Sequence, residues 1–140
     1  MLALCEESGV DQNLIDTFHI GFVIAPRLNS AGRLEHAMDS LRLICAKNQS
    51  RAKELAKKLG STNRQRQEKT ENILKHIEEN FDQLWANNLP GILLAHHESY
   101  EEGIVGIAAG RLVEKYHRPA IVMSRGETLF KASARSITSI

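Results

Sequence analysis

The chain has 140 residues, 42% hydrophobic and 25% charged, with a net charge of +1. That is an ordinary globular composition with room for one modest core or two small ones. It excludes the strongly basic footprint of a protein that grips nucleic acid over a broad face, and 5% aromatics are too few for a base-stacking platform. No run approaches the ~18 apolar residues of a membrane span, and Met1-Leu2-Ala3-Leu4 lacks the basic opening of a secretion signal. Cys5 and Cys45 lie in helix-like segments without zinc spacing. They read as two buried, reduced thiols, which fits a cytoplasmic protein.

In chain order, residues 1 to 8 read as a helix closed by Ser8-Gly9. Asp11 is a candidate N-cap for a short helix to about Phe18, with Leu14, Ile15 and Phe18 at helical spacing. An apolar run, His19 to Ile24, leads into Ala25-Pro26-Arg27-Leu28-Asn29-Ser30-Ala31-Gly32-Arg33-Leu34. Pro26 forbids a helix running through this stretch and pushes Ala25 toward extended backbone. Gly32 permits a turn. Two readings stay open here: an anion-binding loop of backbone N–H groups, Asn, Ser and Arg, or a polar interdomain loop whose arginines pair with carboxylates. His19 and His36 read as structural or exposed.

Glu35 to Ala46 has a helical pattern, with Ala37, Leu41 and Ile44 or Cys45 as its apolar face. Ser50 can cap a long helix running to about Trp85. Ala52, Leu55, Ala56 and Leu59 stripe its start; Ile73, Leu74, Ile77, Phe81, Leu84 and Trp85 stripe its end. The middle, Gly60 to Asn72, is polar all round, the pattern of a helix that bridges two domains; two helices broken at Gly60 is the alternative. Arg64, Arg66 and Lys69 either line a groove or sit on a solvated face.

Asn87 to Gly91 reads as a linker. Ile92 to His96 is a short buried strand. Gly103 to Tyr116 is a helix with one small-residue side (Gly103, Gly106, Ala109, Gly110), which demands a close neighbour. Ala120 to Met123 and Leu129 to Arg135 are further strands, joined by a tight turn at Arg125-Gly126-Glu127. Strand, helix, strand predicts an α/β domain opening with a βαβ unit. Three strands and one helix bury little, which predicts an internal piece of a larger protein whose exposed half-domain surface drives self-association.

Three stretches carry a resemblance. Residues 25–34 resemble the "P-R-L-N-A-A-G-R" motif of RecJ-type single-stranded-DNA exonucleases, of the DHH phosphoesterase superfamily, with Ser30 in place of an alanine. Residues 102–119 resemble the family's "W-H-E-G-V-I-G-I-V-A-S-R-L" helix and the "R-P" that follows. Lys131 to Ile137 is similar to its "K-G-S-x-R-S" motif. The "W-H" pair is Tyr100-Glu101 here, and the glycine of "K-G-S" is Ala132. A carboxylate at position 101 would repel an anion.

The resemblance implies an α/β layout: the end of a DHH domain (1–47), a connector helix (48–88) and the first βαβ part of a DHHA1 domain (89–140). It implies a metal-dependent 5′-to-3′ exonuclease of DNA repair and recombination. Its partners would be single-stranded DNA with a 5′-phosphate and other repair or replication proteins. The phosphate-contacting positions fall on Arg33, Ser133 and Arg135. Arg27, Asn29 and Ser136 join the candidate binding set, with Arg27 and Asn29 read as shaping the loop. Arg111 and Arg118 read as structural.

The family's Mn²⁺ or Mg²⁺ is held by Asp and His motifs that these residues lack. The expectation is therefore no catalytic or metal residue here, and no activity from these residues alone. Two alternatives within the superfamily are a non-catalytic replication scaffold and a small-oligonucleotide phosphodiesterase.

Overall fold

The computed structural model describes residues 1–85 and 88–137, with backbone alone at 84 and 85. The side chains of Leu84 and Trp85, and Asn87 of the expected linker, thus lie outside the described residues. The chain divides into two compact units, Met1–Gln67 and Glu68–Ile140. The boundary falls inside one helix.

The first unit is helical. α1 (Leu2–Ser8) ends as expected at Gly9, whose φ of 72° is the left-handed conformation that glycine adopts without a Cβ penalty. The Val10 and Gly9 N–H groups cap the Cys5 and Glu6 carbonyls. Asp11 does cap a helix, its carboxylate accepting from the Asn13 N–H, but only a 3-10 turn over Gln12–Leu14. Leu14 and Phe18 are exposed rather than buried.

The largest correction concerns the arginine-rich stretch. It is a helix, α2 (Ala25–Leu34), entered from a π-helical segment, His19–Ile24. Ala25 is helical, with φ −59° and ψ −40°, not extended. Pro26 sits in the first turn, where no intrahelical N–H bond is required of it. The wider π turn before it satisfies Ala25 instead, whose N–H reaches the Ile20 carbonyl. Gly32 lies inside the helix, and a Cβ there would make only ordinary contact with Ala37.

α3 (Met38–Ile44) is shorter than its pattern and turns the other way. Leu43 and Ser40 are buried, while Leu41, Ile44 and Cys45 are exposed. Ser40 Oγ donates to the Leu28 carbonyl at 2.6 Å, which satisfies a buried hydroxyl that an apolar reading overlooks. Cys45 is therefore not a buried thiol; Cys5 is, and both are free.

α4 (Gln49–Trp85) is one continuous helix of 37 residues, about 55 Å long. Asn48, not Ser50, caps it, its Oδ1 accepting from the Arg51 N–H at 3.0 Å. Leu55, Ala56 and Leu59 join Leu4, Cys5, Ile24 and Leu43 in the core of the first unit. Ile73, Ile77 and Phe81 are buried in the second. The middle is polar in composition but not solvated all round, because Gly60, Thr62, Asn63 and Thr70 are buried.

No break occurs at Gly60. A β-carbon there would collide with the Glu7 carboxylate, so glycine makes room for it. Glu7 holds two arginines: Arg27 Nε at 2.7 Å and Arg64 Nη1 at 2.9 Å.

The second unit carries the α/β pattern. β1 (Leu93–His97) runs parallel to β2 (Ala120–Arg125), and β3 (Phe130–Arg135) returns antiparallel, in the order β1-β2-β3. α5 (Glu102–Tyr116) makes the crossover. Ile104, Val105, Ala108, Ala109 and Leu112 bury its inner face against the sheet, where Leu93, Ala120 and Val122 are also buried. α5 ends at His117, whose left-handed φ of 50° the sequence does not announce. The four-residue hairpin loop after β2 closes through the Gly126 N–H and Leu129 carbonyl.

Candidate functional site

The site is built on β3 and α5. Alternate residues of a strand share a face, so Lys131, Ser133 and Arg135 project together. Register sets Ser133 opposite buried Val122 and Arg135 opposite buried Ala120, so this is the face that α5 covers.

β3 is the close neighbour that the small-residue side of α5 demanded, and it meets the helix at Gly106. A β-carbon at 106 would lie 3.1 Å from Ser133 Oγ and 3.5 Å from Arg135 Nη2. The hydroxyl and the guanidinium thus converge over a residue with no side chain. Arg135 Nη1 donates to its neighbour's carbonyl, Ala134 O, at 2.7 Å, and no carboxylate ion pair engages it among the described residues. A hydroxyl beside a guanidinium fork is a donor set suited to a phosphate. Ala132 lies on the opposite, exposed face of the strand, away from these two groups. Ser136 follows the strand and is exposed.

Gly106→Ala separates fold from site. Alanine in a helix is favoured over glycine by about 1 kcal/mol, so thermal stability should hold or rise. The methyl group would displace the Ser133 hydroxyl and crowd Arg135, so inorganic phosphate should bind several-fold more weakly. Calorimetric titration beside a thermal melt checks both signs.

The remaining candidates lie in the first unit. Arg33 is exposed in the last turn of α2, and Asn29 is exposed one turn earlier. Arg27 is committed elsewhere: with Nε on Glu7 and Nη1 donating to the Val23 carbonyl at 2.8 Å, it fastens α2 to α1. Ser30 is fully buried, and its hydroxyl donates to the Arg27 carbonyl at 2.7 Å. Arg64 turns to Glu7 and Arg66 donates to Asn63 Oδ1; the former is exposed, as on a solvated face. His19 pairs with Asp16 at 2.6 Å, and the His19 backbone N–H, then its ring, hold the Asp16 carboxyl below the usual range.

Sequence reasoning missed what α4 does at the "W-H" position. Tyr100 is buried and its hydroxyl meets His76 Nδ1 at 2.8 Å. His97 packs against both rings. Glu101, the N-cap residue of α5, pairs with Lys69. Lys69 and His76 stand seven apart on α4, so one helix face receives both residues of the pair. The carboxylate that the sequence set against an anion is thereby neutralised. Lys69, Asn72, His76, Ser99, Tyr100 and Glu101 line a cleft of about 290 Å³ with Ile73. The apolar stripe at the end of α4 was visible; the pairing of His76 with Tyr100 and of Lys69 with Glu101 was not.

Among the described residues, no three His, Cys, Asp or Glu side chains gather as a metal ion would require. His76 and His97 are neighbours, but His76 faces Tyr100 and Asn80, and His97 Nδ1 accepts from Ser99. These residues do not fit a divalent-metal centre.

The mixed α/β architecture, with its long helix and three-strand sheet, is that of solved RecJ exonucleases. A RecJ from Thermus thermophilus in complex with Mg²⁺ superposes with a TM-score of 0.79 at 28% identity, over 98% of this chain and 20% of that one. An exonuclease RecJ bound to manganese gives 0.76, over 98% of this chain and 32% of that one.

The chain is homologous to the RecJ single-stranded-DNA-specific exonucleases over nearly its whole length. It is 33% identical to that of Salmonella typhimurium over 141 residues, 99% of this chain and 24% of the relative. It is 34% identical to that of Haemophilus influenzae over 146 residues, and 32% identical to that of Bacillus subtilis over 136. The chain spans about a quarter or less of the length of these relatives. No family model matches it.

Proposed function

We propose that this chain is the phosphate-seating part of a metal-dependent 5′-to-3′ single-stranded-DNA exonuclease. The observation that carries the reading is the convergence of Ser133 and Arg135 over Gly106, in a chain homologous to enzymes named for that activity. Ser133 donates its hydroxyl and Arg135 its fork to the terminal phosphate, whose second negative charge a phosphodiester lacks. Such a seat orients the strand by its 5′ end.

Arg33 and Asn29, exposed on α2 of the first unit, are candidate DNA contacts in their own right, and Ser136 is a candidate contact beside β3. Arg27 is a positioning residue that holds α2 through Glu7. Residues 1–47 correspond in this reading to the end of a DHH domain, 48–88 to a connector and 89–140 to the start of a DHHA1 domain.

Divalent metal, Mn²⁺ or Mg²⁺, would be held by residues outside this chain and would supply an activated water there. Relatives solved with Mg²⁺ and with manganese support the metal dependence. The protein works in the cytoplasm on repair and recombination intermediates, alongside repair and replication proteins. These 140 residues alone release no nucleotides.

The test uses a longer protein that contains this chain, with Mn²⁺ and a single strand bearing or lacking a 5′-phosphate. Mononucleotides should leave from the 5′ end, faster with the phosphate. Arg135→Ala should remove that preference and slow release about tenfold or more. No cleavage, with DNA or protein binding retained, would favour the scaffold alternative.

A further inference from the structure

Lys131 stands two residues before Ser133 and four before Arg135 on β3. Each two-residue step along a strand is about 6.6 Å. The contacts with α5 follow the same order: Lys131 Nζ meets Glu102 Oε2 at 2.6 Å in the first turn, and Ser133 meets Gly106 one turn later. Amine, hydroxyl and guanidinium therefore form a row along one strand. Among the described residues β3 is a sheet edge.

Both members of the Lys131–Glu102 pair are open to solvent, at 64% and 63% exposure. An exposed ion pair contributes little to stability, so the ammonium can exchange its carboxylate for another anion at little cost. Its chemistry differs from that of its neighbours. A hydroxyl and a planar fork suit a terminal phosphate, whereas a lysine is a point charge on a flexible stem. It suits a phosphodiester that approaches from a range of angles.

We propose that Lys131 binds the phosphodiester next to the terminal phosphate, and that Glu102 is the internal carboxylate it leaves to do so. The proposal rests on the reading of Ser133 and Arg135 as the terminal-phosphate seat. The two-residue repeat of the row is close to the spacing of successive phosphates in an extended single strand. Lys131 then distinguishes a strand from a released mononucleotide, which has no second phosphate. It strengthens the hold on substrate without strengthening the hold on product.

The test is a binding titration of the protein with two probes, a 5′-phosphorylated oligothymidylate and thymidine 5′-monophosphate. Lys131→Ala should weaken the strand roughly fivefold and leave the mononucleotide within about twofold, with a salt slope shallower by about 0.7 for one lost phosphate contact. Glu102→Gln should tighten the strand at low salt and not the mononucleotide. Arg135→Ala should weaken both probes. If Arg135→Ala weakens both but Lys131→Ala weakens both equally, or neither, the Lys131 proposal fails and the seat stands. If Arg135→Ala changes neither probe, the seat fails and the Lys131 proposal with it.

Discussion

Glu7→Ala should destabilise the first unit by about 3 kcal/mol. Glu7 and Arg27 are only 11% and 17% exposed at their side chains, so this α1–α2 pair is shielded in a way that the ion pairs of α4 are not. Removing the carboxylate leaves the Arg27 guanidinium with one carbonyl, that of Val23, and also frees Arg64. The cost comes mainly from the uncompensated charge, not from the lost attraction.

Glu7→Leu combined with Arg27→Met should recover most of the loss, because an apolar pair of similar volume carries no stranded charge. Urea unfolding with hydrogen exchange of the α1 and α2 amides measures both variants. Equal destabilisation by the single and double changes would mean that packing, not charge, holds this corner.

Alkaline pH should destabilise the second unit through Tyr100. Burial pushes its phenol from an ordinary value of 10.0 up to about 12, because the neutral form suits its surroundings. The folded protein thus keeps this proton at a pH where the unfolded chain releases it. The stability present below pH ~10 is lost as pH rises toward ~12, by roughly 2–3 kcal/mol in all.

Tyr100→Phe removes the titrating group. It should cost about 1 kcal/mol at neutral pH, for the bond to His76. Between pH ~10 and ~12 it should lose less stability than the parent. Chemical unfolding of both proteins at several alkaline pH values isolates this effect, because the two differ only in the Tyr100 phenol. Parallel losses in the two proteins would place the alkaline sensitivity elsewhere.

The elements that sequence made legible are those with long, unambiguous periods. α4, α5 and the three strands carry enough repeats to survive local exceptions, and the demand of the α5 small residues for a close neighbour is met at Gly106 by Ser133 and Arg135, whereas Gly110 faces open space. The failures are short or local. Pro26 falls in the first turn, where its missing N–H leaves no bond unmade, and the π turn before it carries the backbone into the helix. α3 has seven residues, too few for its apolar face to be read, since Leu43 and the pair Leu41–Ile44 offer competing sides. A satisfied serine hydroxyl decided between them.

Charge pairs were the least legible part of the site. Arg27 meets a carboxylate 20 residues away and Lys69 one 32 away, separations that leave no periodic trace. For the same reason Glu101 looked like a defect in the motif. On the fold it is the partner of Lys69, and Tyr100 beside it is the partner of His76. Lys131 was visible as a motif residue, but only the strand register and Glu102 gave it a place in the row.

The most direct measurement is the affinity of this chain for two single strands that differ only in a 5′-phosphate or a 5′-hydroxyl. The seat at Ser133 and Arg135 predicts at least several-fold tighter binding of the phosphorylated strand, with the difference abolished by Arg135→Ala and kept by Arg111→Ala. Equal affinity for the two ends, or a preference that survives Arg135→Ala, would contradict it.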